Sequence, residues 1–191
     1  MKQIILASSS PRRKKLLEQV GLTVKVVPSN IDEKLNPRLG PKTQTEQLSF
    51  EKAAVVAEKY PDAVIIAADT IVCINEDILG KPKNMEEAKR MLKKLQGKTH
   101  TVFTGFTIYH KSSKKIVTDC SETKVMFRKM NDKEIKNYLK VEKSLDKAGG
   151  YGMDGAGAIL LESMSGDFFT VLGLPISKVI PALKKFGIEV L

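Results

Sequence analysis

Apolar positions along the chain switch between runs, alternation and helical spacing, and the switches mark its elements. Ile4-Ile5-Leu6-Ala7 reads as a short buried strand, and Ser8-Ser9-Ser10-Pro11 as a turn into a helix. Ser10 suits the N-cap and Pro11 the first helical position, where its missing N–H removes nothing the helix would use. Leu16, Leu17 and Val20 give this helix an apolar face, Gly21 stops it, and 23–27 reads as a strand ended by Pro28. Residues 29–42, with Asn30, Asn36, Pro37, Gly40 and Pro41, have the chemistry of a loop. Thr43 with Glu46 three positions on predicts a capping box and a helix to about Lys59. Ala63-Val64-Ile65-Ile66-Ala67-Ala68 is the pattern of a strand buried on both faces; Asp69-Thr70 follows it and 71–74 resumes the sheet. An amphipathic helix at 85–96 shows Ala88, Met91, Leu92 and Leu95 on one side before Gly97. Residues 99–110 and 116–128 predict a long antiparallel pair joined by a turn at 111–114. Asn131 or Asp132 caps a further helix through Leu139, and 157–161 reads as a strand. Ile176, Val179, Ile180 and Leu183 mark a terminal helix that Pro181 can distort. The fold class is α/β: a mixed, twisted sheet with helices on both faces.

Composition narrows this picture. The chain has 191 residues, of which 42% are hydrophobic, enough for a single cored domain over 1–191. No apolar stretch approaches the roughly 18 residues a membrane span needs, and no signal peptide is visible, so a soluble cytoplasmic protein with no membrane partner is expected. Cys73 and Cys120 lie in apolar β-like runs and read as buried reduced thiols. His100 and His110 are too few and too far apart for a zinc site or a nucleophile–base pair. Chemistry therefore falls to carboxylates and lysines.

The net charge of +10, from 32 Lys and Arg against 22 Asp and Glu, fits either nucleic acid or a small polyanion. The bases are spread over many segments, Lys93-Lys94, Lys114-Lys115 and Lys184-Lys185 among them, with no aromatic stacking motif between them. A basic nucleic-acid-binding protein without catalysis is thus the alternative reading.

Three stretches carry candidate chemistry. Arg12, Arg13, Lys14 and Lys15 crowd the positive end of a helix dipole, at a cost of roughly 0.3–1 kcal/mol each. A phosphate held by the free N–H groups, the hydroxyls of Ser8 and Ser10 and the forks of Arg12 and Arg13 would reverse that sign; a solvated basic helix end is the plainer reading. Lys52 falls on or beside the inward stripe of its helix, where an ammonium needs a partner unless it snorkels to the rim. Asp69 sits between two buried apolar segments and must be paired with a cation or metal, or be neutral; ordering a turn between strands is the alternative.

The run S-S-S-P-R-R resembles the N-terminal signature of the Maf family of nucleoside triphosphate pyrophosphatases. Further segments are similar to the family in the same order: Asp32-Glu33, Glu51-Lys52-Ala53, Ala68-Asp69-Thr70, Gly80-Lys81-Pro82, Asp146-Lys147-Ala148-Gly149 with Tyr151-Gly152, and Gly173-Leu174-Pro175. The resemblance implies an inosine triphosphate pyrophosphatase-like fold with two lobes around a cleft. It implies hydrolysis of a nucleoside triphosphate between the α and β phosphates to the monophosphate and pyrophosphate, with water as nucleophile and Mg²⁺ or Mn²⁺ as cofactor. In it Asp69 is the general base or positions the water through the metal, Glu33 helps hold the metal, and Arg13, Lys52 and Lys81 stabilise phosphate charge. A homodimer is expected on the same ground, as are the removal of non-standard nucleotides and a link to restraining septum formation. Arg12 and Thr70 match the subfamily acting on dTTP and UTP, so these are the expected substrates. That subfamily has Gln where this chain has Asp154, which accepts hydrogen bonds but cannot donate them when ionised.

Overall fold

The apolar runs do become the strands that organise the fold. The computed structural model describes residues 2–190, and its elements in chain order are β1 (Ile4–Leu6), α1 (Pro11–Gln19), β2 (Lys25–Val26), α2 (Pro41–Lys59), β3 (Val64–Ile74), β4 (Asp77–Leu79), α3 (Met85–Leu95), β5 (Thr99–His110), β6 (Lys115–Phe127), α4 (Asp132–Val141), β7 (Leu161–Gly166), α5 (Phe168–Val171) and α6 (Ile176–Lys184). Three short 3₁₀ turns lie at Ser144–Asp146, Ala148–Gly150 and Gly155–Leu160. The strands hydrogen-bond in the order β2-β1-β3-β5-β6-β7, and β4 pairs with β3. β1 runs parallel to β2 and β3, whereas β3–β4 and β6–β7 are antiparallel, so the sheet is mixed, as the sequence predicts.

Four local expectations need correction. The helix expected to start at a Thr43–Glu46 capping box begins earlier, at Pro41 with Gly40 as N-cap. Proline's fixed φ suits the first helical position, and the Thr45 hydroxyl donates to the Lys42 carbonyl at 2.9 Å inside the first turn. The strand expected at 23–27 is only Lys25–Val26, matching the short β1 beside it. Asp69 lies inside one unbroken strand, β3, and orders no turn. The strand expected at 157–161 is a 3₁₀ turn followed by β7 from Leu161. There the chain crosses itself so closely that a Cβ on Gly157 would lie 1.4 Å from the Gly152 carbonyl oxygen. In addition, Cys73 is half-buried where burial was expected; Cys120 is buried, and both are free thiols.

The chain divides into two compact units: Met1–Asp69 with Thr104–Ser121 and Gly173–Leu191, and Thr70–Phe103 with Glu122–Leu172. In the first, Ile5 of β1, Ala7 just after it, and Ile65 and Ala67 of β3 pack on Ala53, Val56 and Ala57 of α2. Small residues on that helix face let it approach closely. A Cβ on Gly105 of β5 would lie 2.4 Å from the Thr45 carbonyl group, so only glycine fits beneath α2 there. In the second unit, Val72, Leu92, Leu95, Val125, Phe127, Tyr138 and Tyr151 belong to one core. Fully burying a side chain of this size is worth roughly 1.5–3 kcal/mol. The helices of this unit are capped as their sequences specify: Asn84 accepts from the Glu87 N–H, and Asn131 and Glu134 form a capping box.

Candidate active site

Lys52 is the centre of the charged cluster in the first unit. α2 turns a polar stripe toward the strands: Thr45 meets the Cys120 sulfur of β6 at 3.4 Å, Ser49 bonds Thr107 of β5 at 2.9 Å, and Lys52 reaches Asp69 of β3. The three- and four-residue spacing of a helix puts these side chains on one face. Each neutral contact adds about 1 kcal/mol and together they fix the helix's rotation, so that the Lys52 Nζ arrives 2.5 Å from Asp69 Oδ1 and 2.9 Å from Glu33 Oε1. Lys52 is 4% exposed and Asp69 6%. Burial of either charge alone would be prohibitive, and the pairing is what permits both.

Glu33 comes from the loop between β2 and α2. The Asn36 N–H donates to the side-chain oxygen of buried Gln44 at 2.7 Å, tying that loop to α2. The acidic pair then divides its tasks: Asp32 faces Lys34 at the surface, while Glu33 faces Lys52.

The N-terminal cradle also forms, with a different division of labour from the one the sequence suggests. Ser10 is the N-cap of α1 and Pro11 the first helical residue, but the Ser10 side chain makes no capping bond. Instead Ser8 Oγ accepts from the Ser10 N–H at 3.2 Å and from Arg13 Nη1 at 3.1 Å, and Arg13 Nε donates to the Gly173 carbonyl at 2.7 Å. Arg13 therefore ties the cradle to the Gly173-Leu174-Pro175 turn. Burial holds its pKa below the ordinary arginine value, with Asp69 and Glu33 pulling upward and Arg12 adding to the lowering; the guanidinium keeps its charge at neutral pH. That Asp69 and Glu33 act on it places Arg13 electrostatically with the Lys52 cluster. Arg12 is half-buried on the same turn of α1.

Thr70, Lys81 and Asp154 belong to the second unit. Thr70 follows Asp69 directly in β3 and is half-buried. Lys81 is exposed just after β4, and the Gly149 N–H donates to the Gly80 carbonyl at 3.0 Å, joining the Gly-Lys-Pro turn to the glycine-dense segment. That segment is rigidly posted. Tyr151 meets His100 Nε2 at 2.7 Å, the Gly152 N–H donates to the Tyr138 hydroxyl at 3.3 Å, and the Gly152–Gly157 crossing closes the bend. Asp154 is exposed within that bend, as the N-cap residue of the 3₁₀ turn. Earlier in the same segment, buried Lys147 is held by Glu142 at 2.9 Å and Asp146 at 2.8 Å. Spacing along the chain does not single out Gln44, Ser49, His100 or Tyr138 as positioning groups. The hydroxyls at Thr45 and Ser49, in step with Lys52, were the available signal.

Glu33 and Asp69 offer the hard carboxylate oxygens that suit Mg²⁺ or Mn²⁺. Among the described residues no group of three His, Cys, Asp or Glu side chains gathers to hold a metal. No helix among them is long and apolar enough to cross a membrane.

Two comparisons bear on the family. The profile described as "Maf-like protein" matches residues 3–186. The chain is 47% identical over 184 residues to the dTTP/UTP pyrophosphatase of Thermoanaerobacter sp. (strain X514), covering 96% of each chain. It is 43% identical over 188 residues to the dTTP/UTP pyrophosphatase of Bacillus velezensis, covering 98% of each. Among solved structures it is similar to a HAM1 protein from Coxiella burnetii, with a TM-score of 0.47 and 11% identity, covering 84% of this chain and 81% of that one.

Proposed function

The chain belongs to the Maf family, and from that premise we propose that it hydrolyses dTTP and UTP between the α and β phosphates, releasing the nucleoside monophosphate and pyrophosphate. The observation that carries the reading is the buried Lys52 held between Asp69 and Glu33. A buried ion pair is a poor way to add stability, and its placement beside an arginine-bearing helix N-terminus suits a polyanionic substrate.

In this reading the triphosphate enters with its negative oxygens toward Ser8, Ser10, Arg12 and the α1 N-terminus, while Arg13, Lys52 and Lys81 neutralise charge as it shifts to the leaving pyrophosphate. Asp69 Oδ1 is engaged by Lys52, which leaves proton acceptance to Oδ2. A water attacks the α phosphorus, its proton passes to Asp69, and the bond from that phosphorus to the bridging oxygen breaks with the electron pair leaving on pyrophosphate. A divalent ion held by Glu33 and Asp69 would polarise the phosphoryl oxygens and screen their charge. Thr70 and Asp154 are the base-side residues. The whole chain acts as one functional domain, supported by the single profile over 3–186, in the cytoplasm and as a homodimer.

The test is a panel of dTTP, UTP, GTP and 7-methyl-GTP with Mg²⁺ or Mn²⁺, followed by pyrophosphate release, for wild type and Asp154→Gln. Pyrophosphate from dTTP and UTP, with kcat/KM rising for both in Asp154→Gln, is expected. A wild-type preference for GTP overturns the pyrimidine reading, and no pyrophosphate from any nucleotide overturns the enzyme. Tight, steeply salt-dependent binding to nucleic acid without turnover would favour the alternative.

A further inference from the structure

The core grips the bend that carries Asp154 by one side chain. Gly149 and Gly150 lie at φ 68° and 75°, in the left-handed region, and Gly152 follows, so from 149 to 152 only Tyr151 offers a side chain to hold. Tyr151 is 5% exposed and its ring stands edge-on to Phe127, with centroids 4.7 Å apart. His100, at the start of β5 and 2% exposed, stands edge-on to both rings, 4.7 Å from Phe127 and 5.5 Å from Tyr151. His100 Nε2 meets the Tyr151 hydroxyl at 2.7 Å, whereas Nδ1 makes no hydrogen bond of normal geometry among the described residues. Burial lowers the His100 pKa to about 4, although the nearby Lys98 backbone pulls it upward, and burial raises that of Tyr151. Both groups are neutral at pH 7, and one proton is shared between them.

A buried imidazole with one polar contact adds little as packing, since replacing both partners of a buried hydrogen bond by apolar groups of the same shape is close to neutral for stability. What the bond adds is orientation. Packing on Phe127 leaves the Tyr151 ring able to slide, and the Nε2 contact fixes its hydroxyl end. One residue on, the Gly152 N–H donates to the Tyr138 hydroxyl at 3.3 Å. The chain is therefore pinned at two successive residues immediately before Met153 and Asp154. A site that tells one base from another must hold its groups to within about 0.5 Å.

We propose that His100 is a positioning residue for base selection: through Tyr151 it sets where the Met153–Asp154 segment meets the base, without itself touching the nucleotide. The inference rests on the pyrophosphatase reading above and on Asp154 lying at its base side.

Steady-state kinetics with UTP and GTP, read as pyrophosphate release, together with melting temperatures, test this on His100→Phe, Tyr151→Phe, the double variant and His100→Gln. Tyr151→Phe removes only the hydroxyl and keeps the ring on Phe127, so it carries the test even if His100→Phe fails to fold. Each Phe variant should raise KM for UTP about threefold to tenfold with kcat within about twofold, and lower the preference for UTP over GTP by a similar factor. The double variant should raise KM no further, because both changes break the same bond, and should melt at or above the temperature of either single variant. A raised KM at that recovered stability separates positioning from packing. His100→Gln brings an amide to the place of Nε2 and should return KM for UTP toward wild type. An unchanged KM and an unchanged UTP-to-GTP ratio in Tyr151→Phe overturn the inference. So does a KM that follows the melting temperature and recovers in the double variant; either result leaves wild-type pyrophosphate release untouched. A wild type that releases no pyrophosphate overturns the reading itself, and the inference with it.

Discussion

Replacing Asp69 by Asn changes little in shape and removes the charge that Lys52 meets at 2.5 Å, so its effects on activity and on stability can be worked separately. If Asp69 accepts the proton of the attacking water, turnover falls by about 10²–10⁴, equivalent to roughly 3–5 kcal/mol of barrier. Removing one partner of a buried pair usually costs about 3–5 kcal/mol, because the other charge is left uncompensated. Here Glu33 remains 2.9 Å from Lys52, although its side chain is 36% exposed and its attraction is weakened by water. The loss should therefore fall below that range, at about 1–3 kcal/mol. For a chain of this length each kcal/mol moves the melting temperature by roughly 2–4 °C, so the variant stays folded at room temperature. Pyrophosphate release under saturating UTP gives the first quantity and a urea titration at neutral pH the second. A folded Asp69→Asn protein with near wild-type turnover would refute the catalytic role and leave Asp69 as the partner of Lys52. A variant unfolded in buffer would refute the view that Glu33 can shoulder the Lys52 charge.

Other positions give independent checks. Burial depresses His100 to about 4, below its unfolded value, so its contribution is complete above about pH 6.5 and is lost as pH falls toward 4, by at most about 3 kcal/mol; urea titrations of wild type and His100→Gln that lose equal stability over that window would contradict this. Gly105→Ala should destabilise by about 1–3 kcal/mol or more because its Cβ meets the Thr45 backbone at 2.4 Å, and an unchanged urea midpoint would show that α2 can lift off β5. Gly157→Ala should raise KM for UTP more than it lowers kcat, since the bend that carries Asp154 must open to clear the Gly152 carbonyl; unchanged kinetics would detach that bend from the nucleotide. Arg13→Lys keeps a charge but loses the fork that holds Ser8 and Gly173 together, and should lower kcat/KM for UTP by about tenfold or more; a wild-type value would reduce Arg13 to a replaceable cation.

Local signals carried most of the fold, because here the elements depend on neighbours in sequence. The six apolar residues before Asp69 leave no polar face and so demand a strand covered on both sides, which is what β3 is. Asn131 with Glu134 fixes the start of α4 through bonds three residues apart. The errors arose where the backbone meets something distant in sequence or competing signals overlap. The apolar pattern at 157–161 reads as extended, yet the Gly152 carbonyl bars that path, and Pro41, not the Thr43–Glu46 pair, starts α2. The site was legible in part for the same reason. That Lys52 and Asp69 each needed a partner followed from where the charges fell, but that they are each other's partner is a contact across 17 positions that no spacing rule supplies. The stripe of Thr45, Ser49 and Lys52 makes sense only once β6, β5 and β3 are known to pass beneath it. Asp154 was visible as a departure from the resembled pattern, while the posts that hold its bend, His100 and Tyr138, belong to other elements.

In the proposed reaction, water attacks the α phosphorus of a pyrimidine nucleoside triphosphate with Asp69 as the proton acceptor. Hydrolysis of UTP in ¹⁸O-labelled water, with the products resolved by mass spectrometry, tests it most directly. The label is expected in UMP and absent from pyrophosphate, with both products formed far more slowly in Asp69→Asn. Label in the pyrophosphate, or orthophosphate and UDP as the products, would contradict it.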